Sequence, residues 1–259
     1  MRAYTRRDAL RSGAAAAGLG GLAGLAGCLG GSGAGGSNGV GSGSDATDGS
    51  GSDATDEAGD PGGSGVGAGY FGGHPATTGI DDEPVLGTLG EATATVVAFE
   101  DPSCPTCRRF ERNAGARIRD ELVPAGDVAF VGRSIPVIYP WGKPAVQALE
   151  ATYARSADAF WALFEHYFAA QEAFSGAGVD EVLPRTERWL AGNTDLDAAA
   201  VVADAAAEAY DGAVTEDLDA AEAAGVSRTP TLFLFRGGEF RTEASGSVSF
   251  DLVTSALEL

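Results

Sequence analysis

Cysteine and histidine are both scarce in this chain, and each shortage excludes a class of structure. The 259 residues include three cysteines, too few for the framework of several disulfides that stabilises small secreted domains. The stability of the fold must therefore come from a hydrophobic core. The two histidines, His74 and His166, show no metal-ligand spacing, so the sequence predicts no metal site and no bound cofactor.

Basic residues are also few, and Lys143 is the only lysine. The chain has 17 basic and 37 acidic side chains, which gives a formal net charge of −20. Nucleic-acid binding needs a basic surface, so we expect no nucleic-acid partner. An acidic, lysine-poor composition resembles that of proteins from extreme halophiles, where molar salt limits charge repulsion to a range of ~3 Å.

The start of the chain has an apolar stretch that is too short for a membrane span, which takes ~20 apolar residues. Residues 1–27 combine a basic beginning, with Arg6 and Arg7, and a run of alanine, glycine and leucine, which is typical of a twin-arginine export signal. Leu25-Ala-Gly-Cys28 resembles a lipobox, in which Cys28 would carry lipid. We therefore expect an extracytoplasmic protein anchored to the outer face of the cell membrane. The alternative is a disordered start with a chance cysteine.

Residues 28–80 contain mostly glycine, serine, alanine, aspartate and threonine. Two pieces that both read Gly-Ser-Asp-Ala-Thr-Asp begin at Gly43 and Gly51. Such a segment buries too little apolar surface to fold, so the sequence predicts a disordered linker. A coil of ~50 residues spans roughly 35–40 Å, so a domain beginning near Asp81 could sample the space outside the membrane.

Residues 81–259 carry the patterns of a folded α/β domain. Buried strands are predicted at Thr93–Phe99 and Asp127–Pro136, with an amphipathic helix between them. Helical patterns then dominate a block at about 144–225. The end of the chain predicts a strand hairpin and a closing helix, which occupy Thr231–Phe235, Phe240–Val248 and Phe250–Leu259.

Cys104 and Cys107 enclose Pro105 and Thr106 in a Cys-x-x-Cys motif that follows a predicted strand and precedes a predicted helix. In that context the motif indicates redox chemistry rather than metal binding, because two thiols at this spacing can close into a disulfide and reopen it. Pro105 suits the first helical position, where its missing N–H costs nothing. Cys104 would then lie at the helix N-terminus, where free N–H groups stabilise the attacking thiolate.

A second motif, Arg228-Thr229-Pro230, precedes the predicted strand at Thr231–Phe235. Proline is tolerated at the start of a strand but not inside a central one. Thr-Pro alone is a weak signal that also fits an ordinary loop end. It becomes a strong signal when a Cys-x-x-Cys motif begins the first helix of the same domain.

Together these features resemble the DsbA-like thiol–disulfide oxidoreductases of the thioredoxin-fold superfamily, over residues 81–259. The resemblance rests on Asp101-Pro-Ser-Cys-Pro-Thr-Cys-Arg-Arg-Phe110, on Gly225-Val-Ser-Arg-Thr-Pro230, and on the helical block between them. It implies a thioredoxin fold of the α/β class, in which helices flank a central mixed β-sheet, with a helical insertion at about 144–225. The redox-active disulfide Cys104–Cys107 would need no bound cofactor.

The resemblance also implies roles for the site residues. Cys104 would be the exposed nucleophile and Cys107 the more buried resolving cysteine. Pro230 would be cis and packed against the disulfide, since a cis X–Pro bond is uncommon enough to mark a specific feature. Thr229 would offer its backbone to an extended substrate segment, in the manner of strand addition.

Two positions depart from the family pattern. The family often has a buried carboxylate six residues before the first cysteine, where it serves proton transfer to the resolving thiol, and this chain has Ala98 there. Glu100 lies two residues further along the same strand and therefore on the same face of it. Whether Glu100 replaces the missing acid stays open. Pro105 and Thr106 would tune the reactive thiol, but Thr106 lacks the charge of the histidine that strongly oxidising members have at that position.

The sequence therefore predicts an extracytoplasmic protein thiol–disulfide oxidoreductase. The oxidising location favours an oxidase or isomerase over a reductase. Its partners would be exported proteins that bear cysteines, an unidentified redox partner, and the membrane through lipid on Cys28. Two alternatives remain: a dedicated reductant of a single partner protein, and a non-catalytic binding module in which Cys104–Cys107 is a permanent disulfide.

Overall fold

A five-stranded mixed sheet organises residues 66–259, which the computed structural model describes. At its centre, β2 (Ala94–Glu100) pairs in parallel with β3 (Val128–Ser134) over its whole length. Every residue of both strands is buried, as expected for the parallel part of a sheet that is covered on both faces. On its other side β2 pairs antiparallel with β4 (Thr231–Arg236). The edge strands are β1 (Val85–Leu86) beside β3 and β5 (Glu239–Ser245) beside β4, both antiparallel.

Helices flank the sheet and form a large insertion between β3 and β4. The helix after β2 begins as α2 (Pro105–Phe110) and continues in wider, π-helical turns over Glu111–Gly115 and Ile118–Leu122. No helix within residues 66–259 is long and apolar enough to cross a bilayer. The other helices are α1 (Gly67–Tyr70), α3 (Gly142–Tyr153), α4 (Ala157–Ala169), α5 (Gln171–Ser175), α6 (Val182–Asn193), α7 (Ala198–Ala206), α8 (Asp211–Ala223) and α9 (Phe250–Leu257).

The insertion confirms the predicted helical block, with one difference. Near the end of the block the helical pattern of the sequence is uninterrupted, whereas the structure has α7 and α8 with a break between them. Glu208 lies in the break and has a left-handed backbone conformation, with φ of 52°, through which a right-handed helix cannot continue. Tyr210, the last residue of the break, is buried.

The folded part begins earlier than the sequence predicts. Residues 66–80 fall within the expected linker, but Phe71 and Ile80 are buried in the core on one face of the sheet. The ring of Phe71 meets that of Phe235 edge-on, with 5.1 Å between the ring centroids. The glycine-rich composition conceals these few apolar residues, so the expected boundary near residue 80 is wrong. The predicted export signal, Cys28 and the rest of the linker lie outside the described residues.

A buried arginine joins the sheet to the insertion. The guanidinium of Arg133 on β3 is fully buried and lies 3.0 Å from the carboxylate of Asp217 on α8. It also lies 3.5 Å from the carboxylate of Glu83 and donates to the carbonyl of Thr78. A buried charge is tolerated only when such partners satisfy it, so the group fixes how α8 and the segment before β1 pack on the sheet.

Candidate active site

The turn after β2 places Cys104 at the start of α2. The strand ends at Glu100, and the backbone N–H of Cys104 donates to the carbonyl of Asp101 at 2.9 Å. Pro105 occupies the first helical position, and the N–H of Arg108 closes the first helical turn on the carbonyl of Cys104 at 3.1 Å. Cys104 therefore caps the helix, as the sequence predicts.

The Thr229–Pro230 segment faces Cys104. Its peptide bond is cis, as the resemblance implied, and the sulfur of Cys104 lies 3.4 Å from the carbonyl oxygen of Thr229. Both cysteines are unbonded thiols, and both are buried, Cys104 with 4% of its surface exposed and Cys107 with 0%. The prediction of an exposed Cys104 is wrong because the Thr229 segment packs over it. Cys104 is nonetheless the more accessible sulfur.

Hydrogen bonds to the Cys104 sulfur lower its pKa to about 5. The Cys107 thiol contributes most, while burial opposes the effect. The backbone N–H groups of Cys107 and Thr106 add to the effect, since the first turn of a helix has no acceptors for them. Thr106 thus acts through its backbone, because its hydroxyl accepts a hydrogen bond from Arg109 at 3.0 Å.

The surroundings of Cys107 raise the pKa of its thiol, whereas those of Cys104 lower it. Burial raises the pKa of Cys107 well above its ordinary value, and the hydrogen bond to Cys104 and the nearby carboxyl of Glu100 raise it further. At neutral pH Cys104 is therefore a thiolate while Cys107 keeps its proton. In thiol–disulfide exchange, such a pair can attack with one sulfur and resolve with the other.

The low pKa of Cys104 predicts the pH dependence of its reactivity. Because the thiolate is the attacking species, the alkylation rate of the reduced protein should be constant around neutral pH and fall as the pH drops through about 5. Mass spectrometry of alkylated Cys104 measures this midpoint. The Cys107→Ala variant should have a higher midpoint, because it lacks the hydrogen bond that lowers the pKa most. A wild-type midpoint near the ordinary thiol value of ~8.5 would contradict the geometry.

Asp101 holds the active-site turn against the loop after β3. One carboxylate oxygen accepts the N–H of Ser103 at 2.6 Å, and the other accepts the N–H groups of Val137 and Ile138 at 2.8 and 2.7 Å. Burial raises the pKa of Asp101, and these hydrogen bonds oppose the rise. Sequence reasoning missed this anchoring role. The available signal was an aspartate at the end of a buried strand, where the N–H groups of a turn need an acceptor.

Gln171 connects the insertion to the same turn. Its side-chain amide, at the start of α5, donates to the carbonyls of Pro102 at 2.7 Å and of Cys104 at 3.0 Å. Because Gln171 is buried, its loss would remove the side-chain donor to the carbonyl of Pro102, at a cost of ~1–3 kcal/mol, and would leave the carbonyl of Cys104 with the N–H of Arg108 alone. No local sequence pattern predicts this contact, because Gln171 lies far along the chain from Pro102 and Cys104.

A buried cluster of charged side chains lies beside the cysteine pair. Glu100 is 1% exposed, and its carboxyl lies against that of Glu111, which forms an ion pair with Arg119. Burial raises the pKa of Glu100 most, the Glu111 carboxyl raises it further, and Arg119 opposes the rise. Since Glu100 in turn raises the pKa of Cys107, the carboxyl and the resolving thiol are within electrostatic reach. Sequence reasoning missed Glu111 and Arg119.

The cluster reaches solvent through a cavity of about 510 Å³, whose lining includes Glu111, Arg119 and Glu165. The guanidinium of Arg119 lies 3.6 Å from the carboxylate of Glu165, whose side chain is 59% exposed. A series of ionisable groups thus leads from Glu100 to the surface.

An apolar wall borders Pro105 on the side of the insertion. The rings of Trp141 and Phe174 stack with 5.6 Å between centroids and line a cavity of about 380 Å³ together with Pro105. Exposed apolar side chains beside a reactive sulfur can contact an extended polypeptide. The exposed Tyr139 also lines this cavity, and the two residues before it in the chain, Val137 and Ile138, are exposed as well.

The two histidines are engaged elsewhere. His74 accepts the N–H of Ala76 at 3.2 Å and stacks on the ring of Phe240, with 4.6 Å between centroids. His166 stacks on Trp189 at 4.5 Å. Across the part of the chain that the structure describes, no three potential metal ligands converge.

Taken together, the sheet order, the helical insertion and the Cys-x-x-Cys turn beside a cis proline define a thioredoxin fold with an inserted helical block. A family model described as Thioredoxin matches residues 81–249. The chain belongs to this thioredoxin family.

Solved structures of low sequence identity share the fold. BdbD from Bacillus subtilis, in its oxidised form, has a TM-score of 0.61 at 22% identity and covers 68% of this chain and 91% of its own. DsbA2 from Pseudomonas aeruginosa has a TM-score of 0.54 at 23% identity and covers 68% of this chain and 92% of its own. The predicted fold class, a thioredoxin fold with a helical insertion, is confirmed.

Curated relatives match shorter segments. Disulfide bond formation protein D of Bacillus subtilis is 32% identical over 92 residues, which are 36% of this chain and 41% of that protein. Na(+)/H(+) antiporter NhaA 3 of Salinispora tropica is 32% identical over 146 residues, which are 56% of this chain and 20% of that protein. The matched region thus spans less than half the length of either relative.

Proposed function

We propose that this protein is an extracytoplasmic thiol–disulfide oxidoreductase that exchanges disulfides with protein substrates through Cys104 and Cys107. One observation supports the proposal best: the Cys104 sulfur lies 3.4 Å from the carbonyl oxygen of Thr229, ahead of a cis Pro230, in surroundings that lower the pKa of Cys104 and raise that of Cys107. The name of the relative called disulfide bond formation protein D supports the same reaction class.

Oxidation of a substrate dithiol would proceed by two exchange steps. A substrate thiolate attacks the Cys104 sulfur of the closed disulfide, which forms a mixed disulfide and releases Cys107 as a thiolate that takes up a proton. The second substrate thiolate then attacks the substrate sulfur of the mixed disulfide and releases the Cys104 thiolate. Two electrons pass from the substrate to the cysteine pair, and the reverse sequence reduces a substrate disulfide.

Glu100 would exchange the proton of Cys107 in place of the acid that is absent at Ala98. The two positions share a face of β2, and Glu100 lies two residues, or about 7 Å, nearer the active-site turn. Its raised pKa, its reach to Cys107 and the ionisable groups that lead from it to solvent support this role.

The low pKa of Cys104 supports the oxidising direction. A thiolate that is stable at neutral pH favours the reduced form of the pair, so the closed disulfide takes electrons readily. It is also a good leaving group when the substrate disulfide closes. Neighbouring N–H and S–H donors supply this stabilisation without the histidine that Thr106 replaces.

Turnover on two substrates tests the assignment. The oxidised full-length protein should restore the activity of reduced, unfolded ribonuclease, whereas the Cys104→Ser variant should not. As an oxidase or isomerase, it should do this more efficiently than it catalyses insulin reduction by dithiothreitol. A dedicated reductant of one partner would act on neither general substrate. A permanent structural disulfide would resist dithiothreitol and would rule out catalysis.

Export and anchoring complete the proposal. Residues 1–27 would direct export, and lipid on Cys28 would hold the protein at the outer face of the membrane, in a cell that lives in concentrated salt. The twin-arginine pattern, the lipobox and the net charge of −20 support these points. The partners would be exported proteins that bear cysteines and a further redox protein that restores the disulfide.

A further inference from the structure

The helix that begins at the reactive cysteine carries a concentration of positive charge. The chain has a net charge of −20 and 17 basic residues in all, yet five arginines fall between positions 105 and 119. The only acidic residue in that stretch, Glu111, is buried with Arg119, and outside it Glu121 pairs with Arg117 at 2.7 Å. The five are Arg108, Arg109, Arg112, Arg117 and Arg119.

Three of these side chains lie beside Pro105 and are called here the arginine surface: Arg108, Arg109 and Arg112. With Pro105, which directly follows Cys104, they line a cavity of about 330 Å³. Arg109 also donates to the hydroxyl of Thr106 at 3.0 Å. The arginine surface therefore adjoins the turn that holds the reactive sulfur.

The protein compensates these charges poorly. Arg108 pairs with Glu172 at 2.7 Å, but the Glu172 side chain is 82% exposed, and exposed pairs contribute little. Arg109 and Arg112 are exposed, and neither forms an ion pair with an acidic side chain of residues 66–259. The charge of Arg112 helps to lower the pKa of the Glu172 carboxyl, but that carboxylate is exposed and paired with Arg108, so the guanidinium groups of Arg109 and Arg112 can still bind an external anion.

The positive charges of the arginine surface destabilise the helix that carries them. Arg108 and Arg112 lie four residues apart, where like charges destabilise a helix. Cations in the first turns also oppose the helix dipole. Donors other than these arginine side chains, with the Cys107 thiol first, already account for the low pKa of Cys104. A ligand that carries negative charge would offset the cost.

We propose that the arginine surface docks an acidic segment of the polypeptide whose cysteine reacts with Cys104. The inference rests on the proposed function and names its substrate class. A guanidinium binds a carboxylate through two parallel hydrogen bonds, which a lysine cannot do. This pairing acts at contact distance, so it can hold an acidic segment beside the reactive cysteine even where molar salt limits longer-range attraction and repulsion to ~3 Å.

Matched peptides test the inference with the full-length protein. Three peptides would carry the same pair of cysteines, flanked by aspartate, by asparagine or by lysine. The oxidised wild-type protein should oxidise the aspartate peptide with a kcat/KM about 10-fold above that of the asparagine peptide, mainly through a lower KM. The lysine peptide should be the poorest substrate. The advantage of the aspartate peptide should shrink as salt is raised.

Charge-removing variants locate the effect. The double variant Arg109→Gln/Arg112→Gln should oxidise the aspartate peptide no faster than the asparagine peptide, while its rate on the asparagine peptide stays at the wild-type value. Arg188→Gln/Arg241→Gln removes the same charge from α6 and β5 and should keep the wild-type preference. Unchanged rates on the asparagine peptide also exclude an effect on the sulfur itself.

The outcomes separate this inference from the proposed function. If the asparagine peptide is oxidised but the aspartate peptide has no advantage, or if the double variant keeps the advantage, docking on the arginine surface is wrong and the oxidoreductase stands. If a small dicarboxylate thiol is favoured while the peptides are not distinguished, the polypeptide assignment is wrong. If no peptide of any charge is oxidised, the proposed function fails.

Discussion

The Cys107→Ala variant should lose all turnover and accumulate mixed disulfides between Cys104 and its substrates. In the reducing direction the Cys104 thiolate attacks a substrate disulfide, and the displaced substrate sulfur leaves as a thiolate. The adduct normally breaks when Cys107 attacks the Cys104 sulfur, so it should persist when that second sulfur is absent. Electrophoresis without reductant, after incubation with a disulfide-bonded protein, should reveal adducts that dithiothreitol removes.

The Cys104→Ser variant is the matched control, because it loses the attacking sulfur and keeps the buried Cys107. It should form no adducts. Since Cys107→Ala removes the hydrogen bond that lowers the pKa of Cys104 most, adduct formation in this variant should slow at a higher pH than alkylation of wild-type Cys104 does. Absence of adducts in a variant whose Cys104 is still alkylated would mean that the exchange mechanism is wrong.

Glu100→Gln should slow the resolution of a mixed disulfide by roughly 100-fold at neutral pH, since general acid–base catalysis contributes ~10²–10⁴-fold. Cys107 must lose its proton before it attacks, and burial with nearby Glu100 raises the pKa of this thiol. Glutamine preserves the shape of the side chain but accepts no proton. Rapid-mixing measurement of adduct decay against pH reports this step alone.

Glu100→Gln should raise the stability of the folded protein at neutral pH, although it slows the resolution of the mixed disulfide. Burial raises the pKa of Glu100, so the stability that its proton supplies is complete below the ordinary glutamate value of ~4.3 and is lost as the pH rises through the raised value. Glu100→Gln avoids that loss and should unfold at a higher urea concentration than the wild type at neutral pH. A merely structural role for Glu100 would predict destabilisation.

A second buried acid provides the control for this prediction. Glu150 on α3 is also buried, and Glu150→Gln should leave the rate of adduct decay unchanged. If adducts of wild type and Glu100→Gln decay equally fast at every pH, another group transfers the proton.

The reacting parts of the site were predictable because each is encoded by neighbouring residues. A buried strand followed by Cys-x-x-Cys, with Pro105 in the first helical position, locates the reactive sulfur at a helix start. Thr229-Pro230 before a strand locates the opposing segment, and the structure brings its carbonyl to 3.4 Å from Cys104. The exposure of Cys104 was not predictable in the same way, because it depends on how a distant segment packs over the sulfur.

The supporting parts could not be read from local patterns, because they join segments far apart along the chain. The carboxylate of Asp101 binds the N–H groups of Val137 and Ile138, and the Glu100 carboxyl lies against Glu111 on another element. Strand parity identified Glu100 as a candidate, but only the fold shows what surrounds it. Residues 66–80 were missed for a different reason, since their few apolar side chains stand among glycines.

The helical block of this protein cannot be replaced by that of a relative without an effect on the turn that holds Cys104. The side-chain amide of Gln171 donates one hydrogen bond to the carbonyl of Pro102 and one to the carbonyl of Cys104. A chimera that grafts foreign helices onto this sheet would therefore need an equivalent amide at the start of α5. Without one, a swap intended to alter recognition alone would also disturb the backbone of the reactive cysteine.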